Sequence, residues 1–211
     1  MSFNVTSYAD LKKVGTGVDG WNLDSDYIQT ADIDASASAT ENSDGAGGYY
    51  GFVPIGTFAA PFTGSYNGGG YAISNLYINR VAVDLVGLFG YVDTGAEIEN
   101  LGVINCDITG DDYVGAVVGY NNGETISNCY STGSVTGRNS IGGFIGANAY
   151  GTILNCYSTG SVAGSINVGG FIGRTNIDTY YTSCYWDTQT SGQATSDGGT
   201  GLTTDQMTYP Y

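Results

Sequence analysis

Histidine is absent from the 211 residues, and only five lysines and arginines stand against 20 aspartates and glutamates. The first absence removes the commonest general base, every His-dependent nucleophilic triad and the nitrogen ligands of most zinc sites. The second argues against nucleic acid as a partner, because binding its backbone needs clustered cations. No apolar run reaches the roughly 20 residues that cross a bilayer, and no leader-like segment is read at the start of the chain. Only 12% of the residues are charged and 35 are glycine, which alone would read as low complexity; 41% hydrophobic content with strict periodicity argues for order instead. The charge is uneven. Residues 1–112 hold 15 acids against Lys12, Lys13 and Arg80, and the remainder holds five against Arg138 and Arg174.

What is present is repetition. VGAVVGYNNGETISNCYSTGSVTG from Val114 returns as IGGFIGANAYGTILNCYSTGSVAG from Ile141 and begins again as VGGFIG at Val168. The spacing Gly119 to Gly146 to Gly173 is 27 residues twice, and a fixed period in this range marks a solenoid of stacked units. A diverged copy precedes them in GLFG (Gly87–Gly90), IENL (Ile98–Leu101) and DITG (Asp107–Gly110), and ISNL at Ile73–Leu76 matches the same place by its letters. The runs are four to six residues long, rich in β-branched and aromatic side chains, and punctuated by Gly, Asn, Ser and Thr, so they read as strands. The expected fold is all-β: a parallel β-solenoid of about 27 residues per coil, right-handed by the crossover rule, with strands of successive coils ~4.8 Å apart. One domain is expected, with residues 1–61 as N-terminal cap and first irregular coils, 62–187 as regular coils and 188–211 as C-terminal cap. Ser7-Tyr8-Ala9-Asp10 opens a short capping helix, and Thr203 and Gln206 repeat that spacing at the other end.

Alignment of the units yields ladders. Leu76, Leu101, Cys129, Cys156 and Cys184 form an inward series, and Asn75, Asn100, Asn128 and Asn155 a corner series of stacked amides. The cysteines read as buried apolar thiols rather than disulfides or metal ligands. Tyr77, Tyr130, Tyr157 and Tyr185 then face outward as candidate ligand-binding residues, their rings suited to sugar faces, with plain cross-coil packing as the competing reading. In the glycine-flanked strand both phases are apolar. Either a glycine bend buries both, or the ladder Leu88, Val117, Phe144 and Phe171 lies outside and serves self-association under another segment or another copy of the chain. Asp24, Asp26, Asp32 and Asp34 are candidate ligands for weakly bound calcium. Asp111-Asp112 reads as a solvated turn, with Arg138 and Arg174 unmatched by acids in adjacent coils.

The chain resembles the GLUG-motif repeat family, whose Gly-Leu-any-Gly core is Gly87-Leu88-Phe89-Gly90 here. TADID (Thr30–Asp34), PFTGSYNGGGYAISNL (Pro61–Leu76), both NCYSTGSV runs and CYWDTQTSGQATSDGGTGLTTDQM (Cys184–Met207) look like that family's stretches, so the resemblance covers about residues 20–207. It implies an extracellular or cell-surface module of the kind found in bacterial and archaeal surface proteins, with no catalytic residue to carry over. The expected function is therefore non-catalytic: adhesion, or self-assembly into an extracellular layer or filament, with other surface proteins, glycans or further copies as partners. The alternative is a carbohydrate-binding or polysaccharide-cleaving β-helix, the latter needing a pair of acids across the bond.

Overall fold

The computed structural model describes residues 2–176 and 178–208; Met1, Ile177 and residues 209–211 lie outside the described residues. The chain winds as a parallel β-solenoid. Its strands stack into a seven-stranded sheet, a nine-stranded sheet, and four- and three-stranded sheets. One coil runs through Asp112–Gly115, Val118–Asn122, Thr125–Ser127 and Tyr130–Thr136 before the next begins at Asn139. Register repeats the 27-residue period: Asp112 pairs with Asn139, Val118 with Ile145, Thr125 with Thr152 and Tyr130 with Tyr157, all in parallel.

Left-handed residues recur at three corners from coil to coil. They stack as Leu85, Tyr113, Ser140 and Asn167; as Gly95, Gly123, Tyr150 and Asp178; and as Asn100, Asn128, Asn155 and Ser183, with the non-glycine members at φ between 50° and 65°. An L-residue there is disfavoured by roughly 1–2 kcal/mol unless its side chain bonds locally, which is the reason asparagine recurs. At the third corner the amides chain along the axis: Asn155 Nδ2 donates to Asn128 Oδ1 and Asn128 Nδ2 to Asn100 Oδ1, each at 3.1 Å. Asn100 in turn donates to Asn67 Oδ1 at 3.3 Å, not to Asn75.

That last bond corrects the alignment of the earliest units. Ile73 pairs with Val103 and Ile78 with Ile108, so Asn75 and Leu76 fall level with Asn105 and Cys106 rather than with Asn100 and Leu101. The letters of ISNL matched the wrong corner, because the Gly68-Gly69-Gly70 turn adds residues to that coil. From Leu101 onward the inward series holds. Cys129, Cys156 and Cys184 are buried in consecutive coils, and all four cysteines are free.

The glycine-flanked strand bends and buries both phases. Val86, Val114 and Ile141 are fully buried, and so are Leu88, Val117, Phe144 and Phe171. The expectation of an outward self-association ladder therefore fails: these four line the interior of the chain's own coils. The reason is steric. At Gly142 a Cβ would be driven into the Ile145 carbonyl oxygen, and at Gly170 into the Trp186 ring, so only glycine lets the chain fold back this tightly. Buried Ser131 and Ser158 hold the corner, donating to the carbonyls of Gly143 at 2.8 Å and Gly170 at 2.6 Å. A second buried polar rung is Asn121 over Asn148: Asn121 Nδ2 donates to Asn148 Oδ1 at 2.8 Å, and Asn148 Nδ2 to Gly151 O at 3.1 Å.

Both ends are covered in part. Helix α1 (Tyr8–Leu11) is capped by Ser7 and buries Leu11. At the other end helix α2 (Thr188–Ser191) is capped by Asp187, and strand Thr200–Leu202 pairs with Tyr185–Asp187. Helix α3 (Thr204–Thr208) follows, where Thr203 N–H donates to Gln206 Oε1 and Gln206 N–H to Thr203 Oγ1 in a reciprocal box.

Candidate functional site

On the outer surface of the nine-stranded sheet, Tyr130 and Tyr157 stack with ring centroids 5.2 Å apart and planes within 10°, and Tyr157 pairs in register with Tyr185. Consecutive parallel strands set this spacing, and alternation turns the three side chains away from the core. Tyr77 is not among them: it pairs with Asp107, a separate part of the sheet. Burial raises the Tyr157 phenol, with Tyr130 adding to the effect, so the hydroxyl stays a neutral donor and acceptor. Beside Tyr157 and Tyr185 opens a groove of about 490 Å³ whose lining includes Thr132, Thr159, Leu202 and Met207. The C-terminal cap supplies one wall, through Leu202, Thr204 and Met207.

Asp24, Asp26, Asp32 and Asp34 are exposed and do not converge. Asp26 Oδ1 accepts from Ser65 Oγ, Asp32 Oδ1 from Ala72 N–H, and Asp34 Oδ1 from Asn75 Nδ2 and Ser36 N–H. Among the described residues the acids that do converge are Asp84, Asp111 and Asp112, with carboxylate oxygens within 4.8 Å of one another. Arg138 has acids in the preceding coil after all. Its Nε lies 2.6 Å from Asp111 Oδ1 and Nη2 2.9 Å from Asp112 Oδ1, the latter a buried oxygen with no hydrogen bond of good geometry. The guanidinium thus supplies the counter-charge that Asp112 needs.

A second outward ladder escaped the sequence reading: Tyr91, Tyr120, Ala147 and Arg174 are in register across the four-stranded sheet. The signal was available, since each of these residues directly follows the last glycine of its glycine-flanked strand, Gly90, Gly119, Gly146 or Gly173.

The model of the GLUG motif matches residues 110–136 and 137–163. Over 137 residues, 63% of this chain, the sequence is 41% identical to Halomucin of Haloquadratum walsbyi, and over 76 residues, 35% of this chain, it is 38% identical to a "Putative Gly-rich membrane protein" of Evansella cellulosilytica. The matched regions make up 1% and 9% of those two proteins. A crystal structure described as a "putative immunoglobulin A1 protease" from Bacteroides ovatus superposes with a TM-score of 0.62 at 16% identity, covering 98% of this chain and 85% of that one, a likeness of fold alone. The two matched coils, Gly110–Thr136 and Gly137–Ala163, carry the register, the Asn corner and the glycine bend described above, and they are two tandem GLUG motifs.

Proposed function

We propose that this chain is a non-catalytic, extracellular module that acts in adhesion by holding glycan chains against the tyrosine ladder of its nine-stranded sheet. The observation that carries the reading is the Tyr157–Tyr185 groove, where flat aromatic faces, threonine hydroxyls and an apolar floor converge at a volume suited to a small ligand. Kinship with segments of Halomucin and of a protein named for the membrane supports an extracellular setting. Burial of the Leu88–Phe171 ladder removes the apolar surface on which self-assembly had rested. Catalysis is disfavoured because two of the three converging acids are held by Arg138.

Calorimetric titration with neutral oligosaccharides tests this. An exposed stacking ring contributes about 0.5–1.5 kcal/mol, so Tyr157→Ala should weaken binding about two- to tenfold without altering the β spectrum. Binding unchanged by the substitution, or appearance of cleaved oligosaccharide, would replace the adhesive reading.

A further inference from the structure

The tyrosine stack of the four-stranded sheet is interrupted in a way that shapes a slot. Tyr91 and Tyr120 lie parallel, centroids 5.2 Å apart and planes within 8°. The far side of Tyr91 is closed by Phe58, edge-on at 5.5 Å, and Tyr113 stands edge-on to Tyr120 at 5.4 Å as a side wall. One strand further along, the ladder position holds Ala147, which offers only a methyl group. The next holds Arg174. Two strand steps, about 10 Å, therefore separate Tyr120 from Arg174, with an alanine floor between. The space above Ala147 measures about 210 Å³ and is lined by Tyr113, Tyr120, Arg174 and Asn176. At about 30 Å³ of liquid per water molecule that is the volume of some seven waters, which fits one ring and not a chain.

Charge narrows the occupant. Lys12 and Lys13 face Glu41 and Asp10, Arg138 is held by Asp111 and Asp112, and Arg80 donates to Phe52 O beside the Tyr50 ring. Arg174 is exposed and makes no ion pair among the described residues, in a chain with a fourfold excess of acids. Its charge reaches the Tyr120 hydroxyl, where it opposes the upward shift that burial and Tyr113 impose. A planar guanidinium left unpaired beside an open aromatic face matches a ring that carries a carboxylate.

We infer that this slot binds a uronic acid residue of an acidic polysaccharide, the pyranose continuing the Tyr91–Tyr120 stack above Ala147 and its carboxylate meeting Arg174. The site lies on a different sheet from the Tyr157 groove and does not depend on it.

The test uses the whole chain with tri- and tetragalacturonate, their methyl esters, and a polyglutamate peptide as competitor. The free acids should bind about tenfold more tightly than the esters, and the preference should shrink as salt rises. Arg174→Gln should abolish the preference while leaving the β spectrum intact, Arg174→Lys should restore part of it, and Tyr120→Ala should weaken acid and ester alike. Tyr157→Ala should leave the preference unchanged, so failure of the neutral-glycan reading is visible separately. Equal affinity for acid and ester, a preference that survives Arg174→Gln, or polyglutamate competing as well as galacturonate would overturn the inference.

Discussion

Phe171 lies on Phe144, ring centroids 5.0 Å apart and planes within 10°, inside the solenoid rather than on its surface. Each ring fills one coil, and the Gly142-Gly143 and Gly169-Gly170 pairs bend the backbone around them. Phe144→Ala should therefore destabilise the fold by about 3–5 kcal/mol, the range for emptying a buried aromatic site. Size-exclusion chromatography of the folded variant should show no change in assembly state. A change of oligomer at undiminished stability would return the ladder to the surface.

The Asn corner separates two contributions. Asn128→Gly removes the amide bonds at 3.1 Å to Asn100 and from Asn155 but suits the left-handed backbone; Asn128→Ala removes the same bonds and adds backbone strain. Urea unfolding should show the alanine variant the less stable of the two by roughly 1 kcal/mol. Equal losses would mean that the amide ladder, and not φ, selects asparagine.

Thiol chemistry reports the inward series. Burial, with Asp107 nearby, pushes the Cys106 thiol up to about 12; burial pushes Cys184 up to about 11, and it raises Cys156, to which Cys129 adds. Thiolate is the reactive form, so a colorimetric disulfide reagent at pH 8 should find almost no reactive cysteine in the native protein and four after denaturation. Rapid reaction of even one thiol in the native state would show that its coil opens.

The C-terminal cap should be sensitive to acid through Asp187. Burial alone would raise the Asp187 carboxyl, but Thr204 Oγ1 at 2.7 Å and the amides of Thr190 and Gln189 at 3.2 and 2.8 Å outweigh it and hold it below its usual range. A pKa depressed on folding stabilises above the unfolded value, about 3.9, and that stabilisation is lost as pH falls through the folded one. Asp187→Asn should lower the Tm at pH 7 and flatten its decline between about pH 4 and 2. An equally steep decline in the variant would assign the acid sensitivity to another carboxylate.

Much of this architecture was legible because backbone pairing repeats the sequence period. Leu101, Cys129, Cys156 and Cys184 stack where their letters align, since the coils between them spend the same number of residues to within one. Where a coil spends more, as at Gly68-Gly69-Gly70, letter matching misplaces everything until the next corner, and Tyr77 went with it. The fate of Leu88 and Phe144 was not decidable from alternation, because a bend that turns both phases inward shows in sequence only as paired glycines. The Tyr120–Arg174 slot was missed for a different reason: its defining residue is Ala147, a small side chain whose significance appears only once its neighbours along the axis are known.

The stacked left-handed corners also bear on how such a chain changes in length. Because stacked backbone corners, rather than the volume of the filling, fix the perimeter of each turn, interior side chains as different as Val117 and Phe144 occupy equivalent places with Phe171 at the same 27-residue step. A whole turn can then be gained or lost at recombination with both caps keeping their original contacts, and a single added residue is absorbed at one place, as the register shift between Ser131 and Gly133 absorbs one.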